Sequence, residues 1–275
     1  MISVKLTLVS TPIGNLNDVS ERMRQAFESC DIVLAEDTRV FRSLLNKIEI
    51  DRPGLRVLSF NDHSQDKLDF YIDQISNSQF PILVSDAGSP IVSDPGHILV
   101  KEILARGGEV TSVPGPSAVT VALELSGFAP NPYTFFGFLP RKKGEISNKL
   151  KVASEQGNTS LFFESPHRIH STLKQISQEF PEANICICRE LTKKFEEAIH
   201  FKAQDFRDEL VTAKGEFVIV IDWPKSNSSN LAASGEVAKF AQAYLDKQTP
   251  KNLAKLIGNA LGRKTQDVYQ ELTGK

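Results

Sequence analysis

The chain has 275 residues, 40% of them hydrophobic and 24% charged, with a formal net charge of −2. That length accommodates two compact α/β domains and a small appendage. The near-neutral charge excludes a protein that coats nucleic acid through a global basic surface, yet leaves room for an enzyme that meets RNA through a local patch. No apolar run reaches bilayer-spanning length, the first residues lack a signal-peptide layout, and three cysteines do not make a disulfide framework, so a cytoplasmic protein is expected.

In chain order, 4–9, 32–35, 56–60, 81–85 and 109–113 read as strands. Helical stripes separate them, such as Val19, Met23, Ala26, Phe27 and Cys30 behind a possible Asp18 N-cap. This alternation predicts a mostly parallel sheet in an N-terminal domain, 1–116. From 117 to 223 the texture becomes that of a second α/β domain with a mixed sheet. Its strands are expected at 133–138, 160–163, 183–188, 199–201 and 216–221, and its helices around 168–180 and 205–213. The stretch 224–230 reads as a polar linker. Residues 231–275 then suit a helical, helix-turn-helix-like extension, with Thr249 capping a helix that opens on Pro250 and a last helix carrying Val268, Tyr269 and Leu272.

In open parallel sheets ligands bind outside the carboxyl ends of the strands. Those ends carry the loops Ser10–Asn15, Glu36–Arg39, Asn61–His63, Ser85–Pro90 and Pro114–Ser117, rich in Gly and Pro. No G-x-G-x-x-G follows the first strand and no Walker loop exists, and the loops lack the lysine a phosphate cradle recruits. A nucleoside-like ligand held by backbone groups fits better than a dinucleotide or a triphosphate.

Several motifs follow one another in a recognisable order: Thr-Pro-Ile-Gly-Asn-Leu from Thr11, Glu-Asp-Thr-Arg from Glu36, and Ser-Asp-Ala-Gly-Ser-Pro from Ser85. Val-Pro-Gly-Pro-Ser-Ala from Val113, Gly-Phe-Leu-Pro-Arg from Gly137, Phe-Glu-Ser-Pro-His-Arg from Phe163, Arg-Glu-Leu-Thr-Lys from Arg189 and Lys-Gly-Glu-Phe from Lys214 complete the series. The set resembles the tetrapyrrole-methylase superfamily, and within it the branch that methylates small-subunit ribosomal RNA, over about residues 6–221. The resemblance implies a two-domain fold of that kind with a C-terminal helical extension. It also implies a homodimer that takes S-adenosylmethionine in the cleft between domains and methylates the ribose 2′-oxygen of a cytidine in 16S rRNA, at the decoding centre of the 30S subunit. No membrane and no DNA partner is implied.

Carried over by position, the cofactor residues are Pro12, Gly14, Ser89, Val92, Ser117 and Ala118, with Phe163, Leu191 and Phe217 from the second domain. Arg39, His63, Arg141, Lys142 and Arg168 are the candidate RNA contacts. Glu36, Asp37 and Asp86 are candidate catalytic carboxylates, since a ribose hydroxyl needs a proton acceptor; His63 and Asp94 stay open beside them. Asp37 and Asp94 equally suit loop or helix caps, and Glu36 and Asp86 suit pairing with Arg39. Two further readings stay open. One is a tetrapyrrole or other small-molecule methyltransferase on the same fold, disfavoured by the Thr-Pro-Ile-Gly-Asn first loop and by the terminal helices. The other is a non-catalytic RNA-binding factor. Cys186 and Cys188 share a strand face without a second ligand pair, so no metal site is expected.

Overall fold

A computed structural model of the chain describes residues 4–94, 96–224, 249–261 and 263–273, with the side chains of residues 62, 63, 65, 260 and 261 outside that description. The first five strands are β1 (Lys5–Val9), β2 (Ile32–Ala35), β3 (Arg56–Ser59), β4 (Pro81–Val84) and β5 (Glu109–Val113). They form one parallel sheet in the order β3-β2-β4-β1-β5. β2 and β4 are buried at every position, as inner strands covered on both faces must be, whereas the edge strands β3 and β5 alternate or open to solvent.

Helices α1 (Glu21–Ser29) and α2 (Thr38–Lys47) close one face over a core of Phe27, Phe41, Leu45 and Val33. α3 (Leu68–Ser76) and α4 (Gly96–Ala105) close the other over Leu34, Phe60, Ile75 and Leu99. The cap of α1 is Ser20, whose hydroxyl accepts from the Met23 amide at 3.2 Å. Asp18, expected in that role, sits instead in a short 3-10 turn, Leu16–Asp18. This three-residue turn thus separates the first loop from its helix.

The second sheet contains β6 (Tyr133–Phe138), β7 (Thr159–Glu164), β8 (Asn184–Arg189), β9 (Glu197–Lys202) and β10 (Phe217–Asp222), in the order β6-β7-β10-β8-β9. Only β6 and β7 run parallel; the remaining pairs are antiparallel. α5 (Ala118–Ser126) covers one face, packing Val119, Ala122 and Leu123 on Leu161, Cys186, Cys188 and Val220. α6 (Lys143–Gln156) and α7 (Ile169–Glu179) cover the other. α6 was not evident in the sequence: only Ile146, Leu150 and Ala153 are buried along its 14 residues, a narrow stripe on a polar segment. The helix expected at 205–213 is absent. The chain makes two 3-10 turns there, Ala203–Asp205 and Asp208–Leu210, which drop Phe206 and Val211 into the core.

Both sheets belong to one compact unit, Met1–Pro224. Each has its own core, and we take 1–116 and 117–223 as the two lobes of that unit. The remainder, Lys225–Lys275, forms a second unit. Its described part is two helices, α8 (Pro250–Leu261) and α9 (Thr265–Thr273). Thr249 caps α8 as expected, its hydroxyl accepting from the Asn252 amide at 3.4 Å. The expected linker beyond Pro224 and the first part of the extension, 231–248, lie outside the described residues. Among those residues, no helix is long and apolar enough to cross a membrane.

Candidate active site

Four of the loops at the carboxyl edge of the parallel sheet converge. The first and fourth are knitted together: the Thr11 amide donates to the Gly88 carbonyl at 2.9 Å and the Gly88 amide returns a bond to Thr11 at 3.1 Å. The Thr11 hydroxyl, fully enclosed, donates to the Ser85 carbonyl at 3.2 Å. Gly88 adopts φ +80°, a conformation that L side chains rarely accept, so glycine is needed where this loop folds under Ile13. The two loops therefore behave as one plate.

A cavity of about 400 Å³ opens between this plate and the second sheet. Ser89 and Val92 of the fourth loop line it, with Ser117 and Ala118 at the start of α5. Phe163, Leu191 and Phe217 supply the opposite wall. Seven of the nine positions proposed for cofactor thus meet in one space. Pro12 and Gly14 do not line it; Ile13, between them, does. Gly14 instead faces the second sheet, where a Cβ would collide with the side chains of Lys193 and Thr192. The Asn15 amide donates to the Thr192 hydroxyl at 3.1 Å beside it. Glycine at position 14 is explained by loop-to-loop packing.

The loop that receives this contact is tightly braced. Lys193 Nζ donates to Glu190 at 2.9 Å and to Glu216 at 3.0 Å, and the Glu216 amide donates to Glu190 at 3.0 Å. Burial by itself would raise the Glu190 carboxyl, but these bonds outweigh it and hold it below its ordinary value. A side chain at Gly215 would strike that carboxylate. Glu190 and Thr192 both take positive φ, at 51° and 65°, on either side of the cavity residue Leu191. Backbone strain of this kind is held in place by its surroundings and collects at ligand sites.

The candidate carboxylates form a chain of contacts. Asp37 caps α2, accepting from the Arg39 amide at 2.8 Å, and pairs with the Arg39 guanidinium at 2.5 and 3.0 Å. The guanidinium and that amide hold its carboxyl down at about 2. Such a group stays ionised but is a weak proton acceptor. Asp86 accepts from the Asp37 amide at 3.0 Å, and its own amide donates to Glu36 at 3.3 Å. Burial raises the Asp86 carboxyl, and the nearby Asp37 charge adds to the rise against that amide bond. Glu36, Asp86 and Asp94 all reach the main cavity, whereas Asp37 lines a neighbouring depression.

The candidate RNA contacts scatter. Arg39 is exposed above the depression. Arg141 and Lys142 are exposed before α6, with Lys142 paired to Glu145 at 3.1 Å. The side chain of His63 lies outside the described residues. Arg168 is committed to structure: it pairs with the enclosed Glu164 at 2.6 Å and donates to the Pro140 and Leu139 carbonyls at 2.6 and 3.1 Å. Glu164 also accepts from the Thr172 hydroxyl at 2.7 Å. Among the described residues, no cluster of His, Cys, Asp and Glu has a metal-holding arrangement.

Of the aromatic side chains in β6, Phe136 packs inward, stacked on Phe162, whereas Phe138 is 57% exposed and stands at the cavity mouth, edge-on to Phe163 at 5.3 Å. The positive φ of Gly137, 68°, breaks the strand alternation that would have turned it inward. Glu216 was likewise unsuspected, although it stands inside the Lys-Gly-Glu-Phe motif.

The model of the family described as Tetrapyrrole (Corrin/Porphyrin) Methylases matches residues 5–207. A Thermotoga maritima protein named ribosomal RNA small subunit methyltransferase I is 39% identical over 220 residues, 79% of this chain and 97% of that protein. Its namesake from Mycoplasma genitalium is 36% identical over 232 residues, 83% of each chain. Among solved structures, a diphthine synthase superposes with a TM-score of 0.62 at 15% identity, covering 80% of this chain and 90% of that one. A cobalt precorrin-4 methyltransferase gives 0.55 at 15%, covering 79% and 94%. At those identities the structures speak to the fold. The sequence matches go further: this chain belongs to the tetrapyrrole methylase family and, within it, to the group of proteins named ribosomal RNA small subunit methyltransferase I.

Proposed function

We propose that this chain is the S-adenosylmethionine-dependent methyltransferase that modifies the ribose 2′-oxygen of a cytidine in 16S rRNA, at the decoding centre of the 30S subunit. The observation that carries the reading is the agreement between relatives of that name across most of the chain and a cavity whose walls suit the cofactor. The size, about 400 Å³, falls in the range of small-ligand sites. Apolar walls from Phe163, Leu191, Phe217 and Val92 fit an adenosine and a methylene chain. Carboxylates at Glu36, Asp86 and Asp94 suit a cation. The first turn of α5 opens on the same space, and the Ser117 side chain makes no capping bond there, so its backbone amides suit the carboxylate of an amino-acid moiety.

Bound in the cavity, S-adenosylmethionine supplies an electrophilic methyl group. The chain positions the acceptor and excludes water. The plate of Thr11 and Gly88 fixes one wall, and the braced Glu190–Lys193 loop fixes the other. Of the carboxylates, Asp86 best suits proton acceptance from the ribose hydroxyl: it reaches the cavity and its basicity is raised, whereas Asp37, held ionised by Arg39, is a weak acceptor outside the cavity. Glu36 holds the Asp86 backbone in place. A cytoplasmic homodimer belongs to the same reading.

Mass spectrometry of 16S rRNA from cells lacking the gene is expected to show loss of one ribose methyl on a decoding-centre cytidine, restored by methylation of purified 30S subunits with the protein. Retention of that methyl overturns the substrate. Calorimetry with S-adenosylmethionine supplies the second arm, since absence of binding would sink any methyltransferase reading.

A further inference from the structure

Beside the cofactor cavity lies a second, more open depression of about 550 Å³, between the first loop and α2. One wall is Pro12, Gly14 and Leu16. The other is a single face of α2, with Arg39, Val40, Ser43, Leu44 and Lys47 at helical spacing. Asp86 lines both this depression and the cavity, so the two meet at that carboxylate.

The charges in the groove are graded. Asp37 and Asp86 stand at its inner end, next to the cavity, and the Arg39 guanidinium pairs with Asp37 there. Lys47 stands at the outer end, eight residues further along α2, about 12 Å by the helical rise. Leu16 and Val40, each about two-fifths exposed, give the groove an apolar floor. A polyanion with flat apolar faces matches this order of groups, with its phosphates toward the cations and a base on the apolar floor. A ribose hydroxyl fits the acidic end, where a phosphate would be repelled.

Resting on the RNA-methylation reading above, we propose that this groove is the binding subsite for the nucleotide flanking the methylated one. It holds the flanking base on Leu16 and Val40 and the adjoining phosphate at Lys47, away from the Asp37–Arg39 pair, and so delivers the target ribose to the cavity at Asp86. The groove also accounts for Pro12, a family-motif residue that the cofactor cavity does not use.

The test is filter binding of in vitro-transcribed 16S rRNA to the full-length chain across a salt series. Lys47→Ala is expected to weaken binding about 3- to 10-fold and to reduce the salt slope by about one phosphate contact. Ser43→Glu, an exposed position that places a carboxylate between the cations, is expected to weaken it further. Calorimetric affinity for S-adenosylmethionine should stay within about twofold in both, and Lys101→Ala on the exposed side of α4 should change neither quantity. Wild-type affinity and slope in both groove variants, with methylation of 30S subunits intact in the parent, overturns the groove alone. A parent chain that binds no rRNA overturns the groove and the RNA reading together, and one that binds no S-adenosylmethionine overturns the methyltransferase assignment first.

Discussion

Asp86 and Asp37 lie a few ångströms apart by backbone contact, yet their surroundings drive their acidities in opposite directions. The consequence is a testable division of labour. A carboxyl that accepts a proton works only when deprotonated, so methyl transfer should be full above the Asp86 pKa and fall as the pH drops through it. Because burial raises that value, the acid limb should lie above the ordinary carboxylate value of 3.8. Asp86→Asn is expected to lower the single-turnover rate of tritiated methyl transfer, measured at saturating cofactor, by about 10²- to 10⁴-fold and to abolish the limb. An unaltered pH profile in that variant would remove Asp86 from the chemistry. At this scale the sequence named the three carboxylates but could not rank them. Ranking depends on Arg39 turning back onto Asp37, two residues away, instead of onto Asp86 or Glu36.

At the scale of elements, Arg168 ties three of them together. It anchors the enclosed Glu164 at the end of β7 and two carbonyls beyond β6, from a position one residue before α7. Removing one partner of such a pair leaves a charge without its counterion, a loss of roughly 3–5 kcal/mol when the pair is fully buried. Arg168 is about a quarter exposed, which places the expected cost of Arg168→Ala nearer about 2–3 kcal/mol. Denaturant melts should show this as a lowered midpoint with unchanged slope. A variant that melts like the parent yet loses RNA affinity would return Arg168 to the substrate-binding role suggested by its sequence.

The strands were legible because most centre on a short run of β-branched, aliphatic or aromatic residues, and all ten expected strands appear, shifted by only a residue or two at some ends. α6 was not, since three small or aliphatic contacts on a lysine-rich segment scarcely rise above a loop's pattern. The turns at 203–210 carry apolar residues at helical spacing by coincidence of their tertiary placement. Of the site, the walls from motif residues were readable. Which loop glycine faces a ligand and which faces another loop was not, because that depends on contacts between residues far apart in the chain.

For the molecule as a whole, the boundary after Pro224 sets an experiment. If the second unit serves substrate capture, a chain ending at Asn230 should keep S-adenosylmethionine affinity within about twofold and lose roughly tenfold in methylation of 30S subunits, the scale of about 1.4 kcal/mol of binding. Calorimetry and tritium transfer on the same preparation separate the two. Equal loss of both would make the terminal helices structural.

The contact between Asn15 and Thr192 joins positions 177 residues apart, and the cavity beside it needs both Ile13 and Val218. During synthesis the first sheet can be complete long before the far wall has left the ribosome, since domains fold as units from the N-terminus. Competence to bind cofactor therefore switches on last, after nearly every other contact of the unit is in place. A nascent or truncated chain ending before Glu216 would be folded over much of its length and still unable to compete for S-adenosylmethionine.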